Sequence, residues 1–120
     1  MVSALRATDA ETDADQSLVE YLQRMGHAPF QYPTPDGYPE QATPWMGTLL
    51  WRWNFSVALS RDQLKGTKID FASLKKNLGG DDEVMAHFLG RRATAEEKQA
   101  YHDSGAGLAL LLASPGFQRC

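Results

Sequence analysis

This sequence of 120 residues has little cysteine, no long basic run and no long apolar run. Its one cysteine, Cys120, excludes an intrachain disulfide and a cysteine metal cage. The net charge is −3 and Lys and Arg are dispersed, which argues against a nucleic-acid-binding protein. The longest apolar run, LALLLA at 108–113, is far shorter than the ~20 residues of a transmembrane helix, so we expect no membrane span.

Motifs for metals, cofactors and export are missing as well. His27, His87 and His102 do not have the H-x-x-x-H spacing of a metal site, and we predict neither a metal nor a cofactor. The opening MVSALRATDAETDAD lacks the apolar core of a signal peptide, which leaves the localisation unassigned.

What the sequence does contain is helix punctuation. Apolar residues make up 42% of the chain, which suits one globular domain over 1–120. Thr94 and Glu97 form a capping box, and Asp70 precedes another apolar-periodic stretch. We predict an all-α fold, a compact bundle of five or six short helices around a central helix at about 44–60.

The predicted central helix is apolar on two sides. At 100° per residue, one wide arc and a second, nearly opposite arc are both apolar. The first comprises Trp45, Met46, Leu49, Leu50, Trp53 and Val57, and the second comprises Trp51, Phe55, Ala58 and Leu59. Because a helix that is apolar on two sides needs neighbours on both, we expect other helices to enclose it.

A proline-rich segment, 27–43, precedes this helix and cannot itself be helical. We expect it to pack on the central helix as a long loop. Arg52 and Asn54 lie in the seams between the apolar arcs, where buried polar groups need partners. We predict that they clamp the loop by bonding its backbone or the carboxylates of Asp36 and Glu40.

Other polar residues do not predict catalysis. Asp36 and Glu40 lie in an aromatic loop, and glycoside hydrolysis uses a pair of carboxylates. Asp36, however, lies in a PDG turn, where an aspartate normally bonds its own backbone. The run of His102, Asp103 and Ser104 cannot form a triad, since adjacent residues do not orient one another. We predict no catalytic residue, and we consider Tyr32, Tyr38, Trp51 and Phe55 as candidate ligand or partner contacts.

Three segments together resemble a known bacterial family. They are PFQYPTPDGYPEQATPWMGTLLWRWNFSVAL, FLGRRATAEEK and LALLLASPGFQ. In that order they resemble the C-terminal part of the family catalogued as domain of unknown function 1800, whose members carry a GYP loop, an R-x-N-F helix and a closing LASPEFQ. Gly116 stands where the family usually has Glu.

The resemblance implies a helical bacterial protein whose full-length relatives are several times longer, often exported, and often encoded beside a sulfatase-like family. We therefore expect this chain to be the C-terminal fragment of a longer protein. The family resemblance identifies no catalytic residues that could be assigned to this chain.

Three hypotheses for function stay open. The first is a non-catalytic structural or interaction module, with the face of Trp51, Phe55 and Leu59 docking the missing N-terminal part or a partner protein. The second is binding of a carbohydrate or cell-envelope polymer through the aromatic proline-rich loop. The third is part of an enzyme whose site is shared with a missing N-terminal segment.

Overall fold

A computed structural model of the chain describes residues 1–26 and 48–118. Within these ranges the chain is mostly helical, with one pair of two-residue strands. The elements, in order, are α1 (Val2–Ala7), β1 (Glu11–Thr12), α2 (Gln16–Arg24), α3 (Leu49–Ser60), β2 (Thr67–Lys68), α4 (Phe71–Leu78), α5 (Asp81–Leu89), α6 (Ala95–Asp103), α7 (Gly107–Ala113) and α8 (Pro115–Gln118). The prediction of a mainly helical, compact fold is confirmed.

Local capping residues explain where several helices begin and end. The Asp70 side chain accepts a hydrogen bond from the backbone N–H of Ser73 at 3.0 Å and thereby caps α4. Thr94 and Glu97 form the complete capping box at the start of α6. Gly90 ends α5 with a φ of 66°, a left-handed conformation that glycine adopts without the steric cost of a Cβ.

The core forms where α3 crosses α7, the most extensive contact between described elements. The apolar run at 108–113 forms most of α7, and Leu108, Ala109, Leu111 and Leu112 are buried, as its uniform apolarity predicts. From α3, the buried side chains are Phe55, Ser56, Ala58 and Leu59. Helix α5 adds Val84, Met85, Phe88 and Leu89.

Two aromatic contacts attach α2 and α8 to this core. The rings of Tyr21 in α2 and Phe55 in α3 meet edge to face, with centroids 5.5 Å apart. Phe117 in α8 packs against the core with its ring centroid 6.1 Å from that of Phe88. The C-terminal helix α8 is therefore held against the core by Phe117.

The short strands were not anticipated from the sequence. β1 and β2 pair antiparallel, with Glu11 opposite Lys68 and Thr12 opposite Thr67. The hydroxyl oxygens of the two threonines lie 2.7 Å apart and share a hydrogen bond. A pair of two-residue strands carries too few residues to show the period-2 alternation by which strands are recognised.

Two details of the predicted bundle need correction. The described residues contain eight helices, more than the expected five or six, because helices of six and four residues, such as α1 and α8, are too short to show a clear 3.6-residue apolar period. Of the central helix predicted at about 44–60, the structure describes Thr48 as one 3₁₀ residue and Leu49–Ser60 as α3, and its predicted start at 44–47 lies outside the described residues. Only one of its two apolar arcs is enclosed by described residues: Leu49, Leu50 and Trp53 are exposed. The predicted packing of the proline-rich loop falls on residues outside the described ranges.

Candidate functional site

An apolar groove of about 290 Å³ opens beside Trp53. Its walls come from α3, the end of α5, one face of α6, α7 and the start of α8. The described residues that line it are Trp53, Leu89, Glu97, Ala100, Tyr101, Leu110, Leu111, Ala113, Ser114 and Pro115. Most of these side chains are apolar, and the volume is near the lower end of ligand cavities in proteins, roughly 300–1,000 Å³. The groove therefore suits apolar side chains or a small apolar molecule.

Helix α6 presents a stripe of side chains to the groove. Glu97, Ala100 and Tyr101 follow the i, i+3, i+4 spacing that places residues on one helix face. The capping box fixes the residue at which this helix begins. Ala100, between two larger neighbours, leaves space at the wall of the groove.

The carboxylate of Glu97 is fully engaged by the protein. Two guanidinium nitrogens of Arg91 donate to its two oxygens at 2.7 and 2.8 Å, a bidentate arrangement. The backbone N–H of Thr94 donates to the same carboxylate at 2.8 Å. The hydrogen bonds from Arg91, followed by that from Thr94, lower the pKa of Glu97 to about 2. Glu97 is therefore charged and paired near neutral pH, and it is poorly suited to act as a general acid there.

Tyr101 and Ser114 are engaged as well. The Tyr101 hydroxyl donates to Asp81 at 3.2 Å, and Asp81 also pairs with Lys75 at 2.6 Å. Burial, with the negative charge of Asp81 adding to it, raises the pKa of Tyr101 to about 12. The Ser114 hydroxyl donates to the carbonyl of Leu111 at 2.8 Å and accepts from the N–H of Phe117 at 3.2 Å. These polar side chains of the groove lining therefore form hydrogen bonds within the protein.

The groove continues onto an exposed apolar face of α3. Leu49, Leu50 and Trp53 are 52%, 66% and 38% exposed, and Val57 is half-buried on the same side. At 100° per residue these four positions fall within about 100° of the helix circumference. Trp53 belongs both to this face and to the groove wall. The two features form one continuous apolar surface, which we call the Trp53 surface.

A comparison with protein-family models matches residues 1–119 to the family described as Protein of unknown function (DUF1800). The chain belongs to the DUF1800 family. No curated protein and no solved structure matches it. The family resemblance drawn from the three sequence segments is confirmed by this match.

Arg52, the predicted clamp residue of this DUF1800 chain, connects α3 to the C-terminal helix. Its Nη1 donates to Oε1 of Gln118 at 3.0 Å, and its Nε donates to the Thr48 hydroxyl at 3.3 Å. Gln118 in turn donates from Nε2 to the carbonyl of Leu112 at 2.6 Å. Arg52 is thus half-buried and satisfied in part by α8, a partner that the sequence did not suggest.

The other members of the predicted clamp are only partly described. Asn54 is half-buried on α3. Asp36 and Glu40 lie outside the described residues, so the pairing of Arg52 and Asn54 with these acids stays a prediction.

The candidate aromatic contacts of the DUF1800 chain have different environments. Trp51 is half-buried, and the Arg24 guanidinium lies over its ring at 4.4 Å from the centroid. Phe55 is 3% exposed and packs within the core. The face expected to dock a partner, Trp51, Phe55 and Leu59, is therefore turned inward. Tyr32 and Tyr38 lie outside the described residues.

Of the histidines that the structure describes, His87 contacts a backbone carbonyl and His102 contacts an aromatic ring. His87 Nε2 lies 2.9 Å from the carbonyl oxygen of Ala7, and the ring of His102 meets that of Tyr101 edge to face. Within 1–26 and 48–118, no three His, Cys, Asp or Glu side chains converge as a metal site would require. Over the same ranges, no helix combines the length and apolarity needed to cross a bilayer.

Sequence reasoning missed the groove because it assigned Trp53 to the core. The 3.6-residue period shows that α3 is apolar on two sides, but it does not show which side other elements cover. The C-terminal part of the groove did leave a signal. Ala100 and Ala113 are small residues within otherwise larger neighbours, and Pro115 fixes the turn between α7 and α8.

Proposed function

We propose that this DUF1800 chain is a non-catalytic interaction module that binds an apolar protein segment on the Trp53 surface. The observation that carries the proposal is the continuity of an apolar groove with an exposed apolar helix face. Exposed apolar patches rimmed by polar residues mark interaction sites in soluble domains. Large aromatic residues such as tryptophan dominate the binding free energy of such sites.

The groove chemistry favours binding over catalysis. A catalytic site needs a nucleophile, acid or base within reach of a substrate atom. Among the residues that the structure describes, the three polar lining side chains bond other protein groups: Glu97 bonds Arg91, Tyr101 bonds Asp81, and Ser114 bonds backbone. A ligand that enters this groove is met mainly by carbon atoms, which stabilise it by burial of apolar area.

Site-specific photo-crosslinking tests the proposal. A benzophenone amino acid replaces Ala100 in the groove wall, and a matched control replaces Lys76, an exposed residue outside the groove lining. We expect the Ala100 probe, and not the Lys76 probe, to crosslink a defined protein segment in bacterial cells. Mass spectrometry identifies that segment, and a synthetic peptide of the same sequence should bind the wild-type chain and lose affinity for Ala100→Phe. Identical adducts at both positions, or none, would contradict the proposal.

The other hypotheses for function rest on residues that this surface does not include. Polymer binding through the proline-rich loop depends on Tyr32 and Tyr38, outside the described ranges. An enzyme site shared with a further segment depends on Asp36 in the same part of the chain. The clamp of Arg52 and Asn54 on Asp36 and Glu40 is a structural proposal compatible with the interaction module.

A further inference from the structure

The α6 stripe that lines the groove has charged residues of opposite sign on its two sides. On α6, the groove stripe is Glu97, Ala100 and Tyr101. At 100° per residue, Lys98 lies about 100° to one side of Glu97, whereas Glu96 and Asp103 lie about 100° and 120° to the other side, next to Ala100. Both of these acids are exposed.

Two contacts show which edge faces the rest of the protein. Lys98 Nζ pairs with Asp82 at 2.8 Å, and the Tyr101 hydroxyl donates to Asp81 at 3.2 Å. Both partners belong to the first turn of α5. The Lys98 edge of α6 is therefore turned toward α5, and its charge is compensated there. The opposite edge carries the exposed Glu96 and Asp103 next to Ala100 of the groove lining, and we call it the open edge.

The acids on the open edge are not neutralised by ion pairs within the described residues. The ion pairs in these ranges join Lys75 with Asp81, Arg91 with Glu97, and Lys98 with Asp82. Glu96 and Asp103 belong to none of them, and both are exposed. The Glu96 carboxylate accepts hydrogen bonds from its own backbone N–H and from the Thr94 side chain, which lower its pKa and favour its charged form. An arriving segment with cationic side chains on one flank would be attracted and oriented by these two carboxylates.

Resting on the proposed function, we infer that the groove takes an amphipathic partner segment with aliphatic anchors and a Lys or Arg flank. The aliphatic side chains insert beside Trp53, Ala100 and Ala113, in the helix-in-groove mode of recognition. The basic flank lies along Glu96 and Asp103. An acidic flank in the same position is disfavoured by like-charge repulsion.

Two designed peptides test this inference by fluorescence anisotropy on the full chain. Both are short amphipathic helices with the same leucine anchors, and one carries Lys where the other carries Glu on the flank. We expect the Lys peptide to bind about tenfold more tightly than the Glu peptide at low salt, with the difference shrinking as salt screens the charges. In Glu96→Gln/Asp103→Asn the preference should largely disappear. The control Glu20→Gln/Glu83→Gln has the same change in net charge away from the groove and should keep it.

The outcomes separate the inference from the proposed function. If both peptides bind equally and Ala100→Phe weakens both, the groove binds apolar segments, but the charge assignment is wrong. If the Glu96/Asp103 variant and its control behave alike, the preference reflects overall charge, and the inference is again wrong. If neither peptide binds, the inference fails, and the crosslinking experiment decides on the interaction module independently.

Discussion

At the residue scale, the bidentate pair of Arg91 and Glu97 should make stability depend on pH. The folded state lowers the pKa of Glu97 to about 2, below its ordinary value of 4.5. A carboxyl whose pKa is depressed by folding stabilises the protein above its unfolded pKa, and this contribution is lost as pH falls through the folded pKa. We therefore expect Glu97→Gln to destabilise the chain at pH 7 by about 1 kcal/mol, discounted for partial exposure. The difference from wild type should vanish toward pH 2.

Urea unfolding at several pH values measures this effect. Glu83→Gln is the matched control, because Glu83 is exposed and belongs to none of the ion pairs within the described residues. A Glu97→Gln variant that loses the same stability at pH 7 and at pH 2 would show that the carboxylate charge is not the source of the stabilisation.

The contact between Arg52 and Gln118 gives a second prediction at this scale. Hydrogen bonds to charged groups contribute about 1.5–3 kcal/mol, and Gln118 also donates to the Leu112 carbonyl. We expect Gln118→Ala to lower the free energy of unfolding by about 1–2 kcal/mol, and Arg52→Ala by more, since Arg52 also bonds Thr48. Arg61→Ala, at an exposed position, should be near neutral. Equal stability of all three variants in urea unfolding would contradict the role of this contact in holding α8.

At the element scale, the sequence predicted helix ends better than helix faces. The caps of α4 and α6 depend on residues within one turn, Asp70 with Ser73 and Thr94 with Glu97, so local pattern sufficed. The buried face of α3 depends on α7, about fifty residues away. Because α3 has two apolar arcs, its sequence alone does not show which of them is buried. The Trp53 surface and the Gln118 partner of Arg52 were missed for this same reason: both arise from the packing of elements distant in sequence.

Gly107, the first residue of α7, tests how closely α6 and α7 pack. A Cβ at this position would lie 2.5 Å from a ring carbon of Tyr101. Gly→Ala in a helix normally stabilises by about 0.5–1 kcal/mol, but overpacking costs about 1–3 kcal/mol. We expect Gly107→Ala to destabilise the chain. In the Tyr101→Ala background, which removes the ring, the same substitution should be neutral or stabilising. Additive effects of the two substitutions in urea unfolding would show that the helices do not pack in this way.

At the scale of the whole molecule, α3 contributes apolar side chains both to the core and to the exposed Trp53 surface. Leu59 is 1% exposed on the side of α3 that packs within the chain, whereas Leu50 is 66% exposed on the Trp53 surface. Leu59→Ala should therefore cost about 2–5 kcal/mol, the range for large-to-small core substitutions. Leu50→Gln should change stability by no more than about 0.5 kcal/mol, as surface substitutions do.

Urea unfolding separates these outcomes, and binding of a hydrophobic fluorescent dye reports the surface itself. Leu50→Gln should reduce dye binding by the native protein, because it removes apolar area from the Trp53 surface without opening the core. If Leu50→Gln instead destabilises the chain as much as Leu59→Ala, Leu50 must be covered in solution by the chain itself. The Trp53 surface would then be part of the interior, and a partner segment could not bind there.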